Sequence, residues 1–208
     1  LVFSEVFRFN VNHYSVYLLA GTLIWNLYSQ GTNASMSSLQ GNGIILRKLY
    51  VPPSVFVASA IGSALVNFGF ALAPFLFLAL LNGLLPSVSW LFLVVPTLFA
   101  AMFSLGIGLI VAALVAFFTD TFEIYQVLLT AYYFLTPIFY PTSTLPEPLR
   151  SLENYNPMYL FVAIFRDAVQ GTLPGLRLLL SATAISVGVL LVGWVIFTRV
   201  EDKFVYQF

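Results

Sequence analysis

The sequence predicts an all-α, polytopic membrane helix bundle, and three observations carry that prediction. Of 208 residues, 60% are hydrophobic and only 8% charged, whereas a soluble domain carries about 25% charged residues. Mean hydropathy is +0.96 at a mass of 23.0 kDa, so lipid must act as solvent for much of the surface. The apolar residues also fall in long runs, each near the roughly 20 residues a helix needs to cross about 30 Å of hydrocarbon. No run alternates apolar and polar residues as barrel strands do.

By this measure the sequence holds about five complete spans: Tyr14–Ser38, Pro52–Leu81, Val88–Phe118, Ile124–Tyr140 and Leu176–Thr198. Leu1–Phe9 is apolar and reads as the end of an earlier span whose start is missing. The chain opens at Leu1 without Met, and no charged region followed by a cleavage site marks a signal peptide. Pro52-Pro53 opens the second span, where proline is best tolerated. Pro74 and Pro96 fall inside spans and predict kinks.

Between spans, Gln40–Val51 is Gly-rich and then basic. Pro141–Pro174 is the longest non-spanning stretch, with Pro141, Pro146, Pro148, Pro157 and Pro174 among Glu147, Arg150, Glu153, Arg166 and Asp167. Its Met158–Phe165 portion is too apolar for a solvated loop. It predicts short helices that dip back into the membrane edge, which polar backbone tolerates only inside protein. The basic residues do not orient the chain. Arg47, Lys48, Arg199 and Lys203 fall on one side, and Arg8, Arg150, Arg166 and Arg177 on the other.

Charge and motif content narrow the function. Eight basic and eight acidic residues cancel, so no basic field suits nucleic acid. Without cysteine there is no disulfide, Fe–S centre or thiolate nucleophile. Neither a GxxxxGK[ST] loop nor an HExxH or Cys/His metal spacing occurs. A single His13 at a helix start reads as an interfacial structural residue. The acids are scattered singly, which disfavours an enzyme such as a membrane-embedded transferase. Intramembrane carboxylates and repeated halves, the marks of a secondary transporter or channel, are likewise lacking.

Within the spans, three patterns stand out. Asn26, Gln30, Asn33 and Ser37 share one helical face, where amides either hydrogen-bond between helices or line a polar pathway. Ala100, Ser104, Gly108, Ala112 and Ala116 recur every fourth residue and allow close approach of another helix, within the bundle or across a dimer seam. Asp120 and Glu123 stand in a D-x-x-E arrangement that predicts an N-cap. Tyr125, Tyr132, Tyr133, Phe134, Phe139 and Tyr140 then make the fourth span aromatic, either for interface belts and packing or as stacking surfaces for a sliding ligand.

Three blocks resemble the permease subunit of ABC-2 type exporters, especially those exporting O-antigen, capsule or teichoic acid. They are GNGIILRKLYVPPSVF (Gly41–Phe56), FFTDTFEIYQVLL (Phe117–Leu129) and LTPIFYPTSTLPEPLRSLENYNPMYLFVAIFRDAVQG (Leu135–Gly171). The resemblance runs over nearly the whole chain and implies an exporter-type bundle with six spans in the full chain, the first truncated here, and extracellular re-entrant helices. It implies a homodimer with the pathway between protomers, in the cytoplasmic membrane. ATP and Mg would sit on a separate ATPase chain and no cofactor on this one. The cargo implied is a lipid-linked glycan, with a drug or lipid as the alternative within the family. Arg47, Lys48, Leu49 and Tyr50 would couple to the ATPase from the cytoplasmic side. Asn26, Gln30, Asn33, Tyr125, Tyr132 and Tyr133 would line the pathway, and Tyr140, Asn156, Pro157 and Arg166 would form an extracellular gate. Two features depart from the family pattern. The amphipathic first helix and first span are reduced to Leu1–Phe9, and Thr119-Asp120 replaces the usual Arg-Asp.

Overall fold

The computed structural model describes residues 13–41, 52–141, 146–147 and 155–201, and every regular element among them is helical. In chain order these are α1 (Tyr14–Gly41), α2 (Ser54–Leu81), a 3-10 helix (Val88–Leu93) that runs into α3 (Val94–Phe117), α4 (Thr121–Leu135), α5 (Pro157–Val169) and α6 (Leu176–Val200). Leu1–Phe9 and Gln40–Val51 lie outside the described residues, except Gly41 and the backbone of Gln40.

Three helices are long and apolar enough to cross a membrane: Ser54–Leu81, Val88–Phe117 and Leu176–Val200. Helix α1, at 28 residues, has the length, about 42 Å, but carries the amides and hydroxyls noted above. Its buried hydroxyls turn back on the helix: Thr32 donates to the Tyr28 carbonyl at 2.9 Å and Ser35 to Gly31 at 2.8 Å. That local bonding lets small polar residues sit in an apolar helix at little cost.

Helix α1 is the centre of the bundle. It packs on α2 and α3, and α3 packs on α6. Glycine sets these approaches. A Cβ at Gly108 would lie 2.7 Å from the Ser35 hydroxyl oxygen of α1, and one at Gly31 would lie 2.8 Å from Cδ1 of Ile61 on α2. The stripe Ala100, Ser104, Gly108 and Ala112 is buried, so it works within the bundle. The α3–α6 contact rests on a second pair. A Cβ at Gly106 would fall 2.6 Å from the Val189 carbonyl oxygen, and one at Gly193 would collide with the Gly106 carbonyl. Only hydrogen at both positions lets the two backbones touch.

Helix α5 plugs one end of this arrangement. Phe161 and Phe165 are fully buried, with ring contacts to Phe103 of α3 at 5.6 Å and to Phe68 and Phe75 of α2 at 6.2 and 5.7 Å. Nine of its 13 residues are buried, the burial on protein that its apolar composition anticipates.

Three expectations are corrected. The span Ile124–Tyr140 is a 15-residue helix that stops at Leu135, about 22 Å long and short of a bilayer core. Thr136 is extended (φ −83, ψ 131) because the residue before Pro137 is barred from helical geometry. The D-x-x-E cap does not form. Asp120 takes helical dihedrals (φ −65, ψ −14) and makes no side-chain cap bond, whereas a capping side chain needs extended backbone. Pro96 is the third residue of α3, in the first turn where an N–H has no helical acceptor, so it does not interrupt that helix. Pro74 does lie inside α2.

Candidate functional site

The densest polar cluster gathers around the break after α4. Arg166, on α5, is 7% exposed. Its Nε donates to the Tyr17 carbonyl at 3.2 Å, Nη1 to Pro137 at 3.1 Å and Nη2 to Ile138 at 2.9 Å. Its Cζ also lies over the Tyr17 ring, 3.4 Å from the centroid. The planar fork suits this division, since one guanidinium can serve several acceptors held at fixed angles. Burial pulls the Arg166 pKa down to about 10, so the group stays charged at physiological pH. The neighbouring Asp167 is not its partner.

Gly21 makes room for this group. A Cβ there would sit 2.9 Å from Arg166 Nη2. The bent segment that Arg166 holds is fixed again by two tyrosines of α1. Tyr14 donates to the Phe139 carbonyl at 2.8 Å and Tyr17 to the Tyr140 carbonyl at 3.2 Å. Pro137 and the extended Thr136 free these carbonyls from helical bonding, and the arginine and tyrosines take them up.

Asn156 ties the start of α5 to the end of α4. Its Oδ1 accepts from the Met158 and Tyr159 amides at 3.1 and 3.3 Å, which makes it the N-cap ahead of Pro157. Tyr132 donates to the same oxygen at 2.9 Å, and Nδ2 reaches the Thr136 hydroxyl at 3.4 Å. Of the four residues expected at the gate, Tyr140 ends the segment Thr136–Tyr140, Asn156 and Arg166 bond to that segment, and Pro157 opens α5 beside Asn156.

The six expected pathway residues divide. Asn26 and Gln30 are exposed on α1 with Ser37, and Asn33 is half-buried. Tyr125 is buried and donates to the Tyr28 hydroxyl at 3.2 Å. Tyr132 and Tyr133 are half-buried and close on Trp25 at 5.5 and 5.0 Å between ring centroids. The aromatic set thus fills the seam between α1 and α4. Asn33 is tied to α4 where Gln126 Nε2 donates to its Oδ1. Gln126, Gly21, Tyr14 and Tyr17 were not singled out in the sequence. A Gln within an aromatic helix was the one available signal among them.

Arg47, Lys48, Leu49 and Tyr50 lie outside the described residues. His13, exposed and with a positive φ of 56, accepts from the Val16 and Tyr17 amides at 2.9 and 3.1 Å through its carbonyl and so starts α1.

The helical bundle, the proline-broken segment after α4 and the buried α5 fit one family. The model for the ABC-2 type transporter matches residues 1–169. The chain belongs to the ABC-2 type transporter family. It is similar to the O-antigen export system permease protein RfbA of Myxococcus xanthus, 29% identical over 207 residues, covering 98% of this chain and 80% of that protein. It is also similar to the protein of the same name from Klebsiella pneumoniae, 26% identical over 83% of this chain and 67% of that one. The polysialic acid transport protein KpsM of Escherichia coli is 26% identical over 75% of this chain and 61% of its own length. Within this ABC-2 domain, α5 and the segment it holds both fall inside the matched region. All of α6 follows it.

Proposed function

We propose that this chain is the transmembrane permease subunit of an ATP-driven exporter that moves a lipid-linked polysaccharide or related cell-surface glycan out across the cytoplasmic membrane. The observation that carries the reading is the exposed row Asn26, Gln30 and Ser37 on α1, in a chain similar over 98% of its length to an O-antigen export permease. Amides both donate and accept, so a row of them suits successive sugar hydroxyls. Bare amides do not face lipid. A second copy of the chain placed against α1 would enclose the row as a wet path, which favours a homodimer.

ATP and Mg belong to a separate ATPase, because this chain carries no phosphate-binding loop. Arg47, Lys48, Leu49 and Tyr50 supply the docking segment: two cations for acids on the ATPase, and two apolar side chains for a groove. Rocking of that segment moves α2, which starts immediately after it, and with α2 the α1 face on which it packs. At the outer end, Tyr140, Asn156, Pro157 and Arg166 hold the Thr136–Tyr140 segment as a cap over the exit.

The test is co-expression of the full-length permease with its candidate ATPase. The two are expected to co-purify in mild detergent and hydrolyse ATP. Replacing Arg47, Lys48 and Tyr50 together by Ala should abolish co-purification while leaving the permease folded. An intact permease that captures no ATPase would sink the exporter reading.

A further inference from the structure

A cavity of about 620 Å³ opens between α5, with the residues just before it, and the first two turns of α6, lined by Tyr155, Leu160, Asp167, Arg177, Leu178 and Ser181. That volume falls within the range of small-ligand sites, about 300–1,000 Å³. Its walls carry two opposite charges that do not meet. Neither the Asp167 carboxylate nor the Arg177 guanidinium has a hydrogen-bond or ion-pair partner among the described residues.

Asp167 is half-buried and Arg177 exposed, and among the described residues neither is paired. Burial pushes the Asp167 carboxyl pKa up, the signature of a charge lacking compensation. Arg177 is the second residue of α6, at the helix end whose dipole disfavours a cation. A ligand that brings an ammonium and an anion would satisfy both. Ser181, one turn beyond Arg177 on the same face, adds a hydroxyl.

The surroundings select an amphipathic ligand. From the cavity rim, Leu176, Leu180, Val187 and Leu191 run along one face of α6 and are exposed. Helix α6 has 25 residues, about 38 Å, against about 30 Å of hydrocarbon. Its first turn therefore stands at headgroup depth while the leucine row reaches into the acyl region.

We propose that this cavity binds the headgroup of an amine-bearing phospholipid, its phosphate on Arg177 and Ser181, its primary ammonium on Asp167, and its chains along Leu176, Leu180, Val187 and Leu191. A free headgroup would have no use for the leucine row, and a trimethylated amine could not donate hydrogen bonds to the carboxylate. The site is independent of the transport reading, because lipid retention is measured on the permease itself.

In the test, full-length permease is delipidated in mild detergent and offered equal amounts of phosphatidylethanolamine, phosphatidylcholine and phosphatidylglycerol of matched chains. Retained lipid is counted by native mass spectrometry. Wild type should prefer phosphatidylethanolamine. Asp167→Asn should lower its retention about tenfold, the scale of one charge-assisted hydrogen bond, and erase selectivity among the three. Arg177→Gln should weaken all three lipids alike. Were Asp167→Asn not to fold, Asp167→Ser carries the same comparison. The proposal falls if wild type shows no preference, if a folded Asp167 variant keeps it, or if folded Arg177→Gln retains all three lipids as wild type does. It also falls if soluble glycerophosphoethanolamine displaces the lipid at equal concentration, which would make the ligand a free headgroup. Displacement by a soluble glycan fragment would assign the cavity to cargo instead.

Discussion

Arg166 and Tyr17 touch twice: the guanidinium lies 3.4 Å from the Tyr17 ring centroid, and its Nε donates to the Tyr17 carbonyl at 3.2 Å. Through this pair α5 is fastened to the start of α1, and the remaining guanidinium nitrogens fasten both to Pro137 and Ile138. One side chain thus holds three separate parts of the chain at one end of the bundle.

Arg166→Lys should therefore destabilise the protein strongly. An ammonium cannot reach three diverging carbonyls, so at least one buried acceptor loses its donor. The expected loss is about 3 kcal/mol, read as a lower melting temperature in detergent. Arg166→Met should be at least as damaging. Unchanged melting in both variants would show that the carbonyls find other donors.

Asn156→Ala should cost about 1–2 kcal/mol, the typical value of an N-cap. Asn156→Asp keeps the oxygen that accepts from Met158, Tyr159 and Tyr132 and loses only the long contact to Thr136. The Asp variant should melt near wild type, and equal losses in the two would refute the capping role.

Gly193→Val should force α6 away from α3, at about 2–3 kcal/mol for overpacking. Gly62, on the outer face of α2, has nothing within 4 Å of a built Cβ. Gly62→Ala should be neutral or stabilising by up to about 1 kcal/mol through helix propensity. The contrast, measured by thermal melting of the two variants side by side, tests close approach rather than glycine content.

Asp167 sets a pH dependence whose sign follows from its burial. Its folded pKa is raised, so the folded state holds the proton more tightly than the unfolded chain. The associated stability is complete below the unfolded pKa, about 3.9, and is lost as pH rises through the folded value. Asp167→Asn should melt above wild type at pH 7 and coincide with it near pH 4. A constant offset across that range would exclude the carboxylate as the cause.

Cysteines placed at Asn26, Gln30 and Ser37 should react with a membrane-impermeant maleimide in the assembled transporter, while one at Leu191 on the outer face of α6 should not. Equal labelling at all four would remove the grounds for a wet α1 face.

Much of the fold was legible in the sequence because the membrane imposes a one-dimensional rule. Apolar length alone marked Pro52–Leu81, Val88–Phe118 and Leu176–Thr198, which the structure shows as helices over Ser54–Leu81, Val88–Phe117 and Leu176–Val200. The small-residue stripe on α3 was visible for the same reason, since period and residue size are local properties. The end of α4 was misplaced: Phe139 and Tyr140 continue the apolar run, yet Pro137 had already dictated the break at Thr136.

The sequence by itself determined that this chain is a helical membrane bundle with polar residues on one face of its first helix, because hydropathy and helical period are properties of a single segment. Only the tertiary structure decided what Arg166 and Asp167 do. The two are adjacent in sequence, but successive residues on a helix point about 100° apart. One side chain is carried to carbonyls from α1 and the segment after α4, and the other to a cavity wall beside Arg177. Likewise, that Gly106 meets Gly193, 87 residues away by number, follows from how α3 and α6 cross, a fact no single stretch of sequence contains.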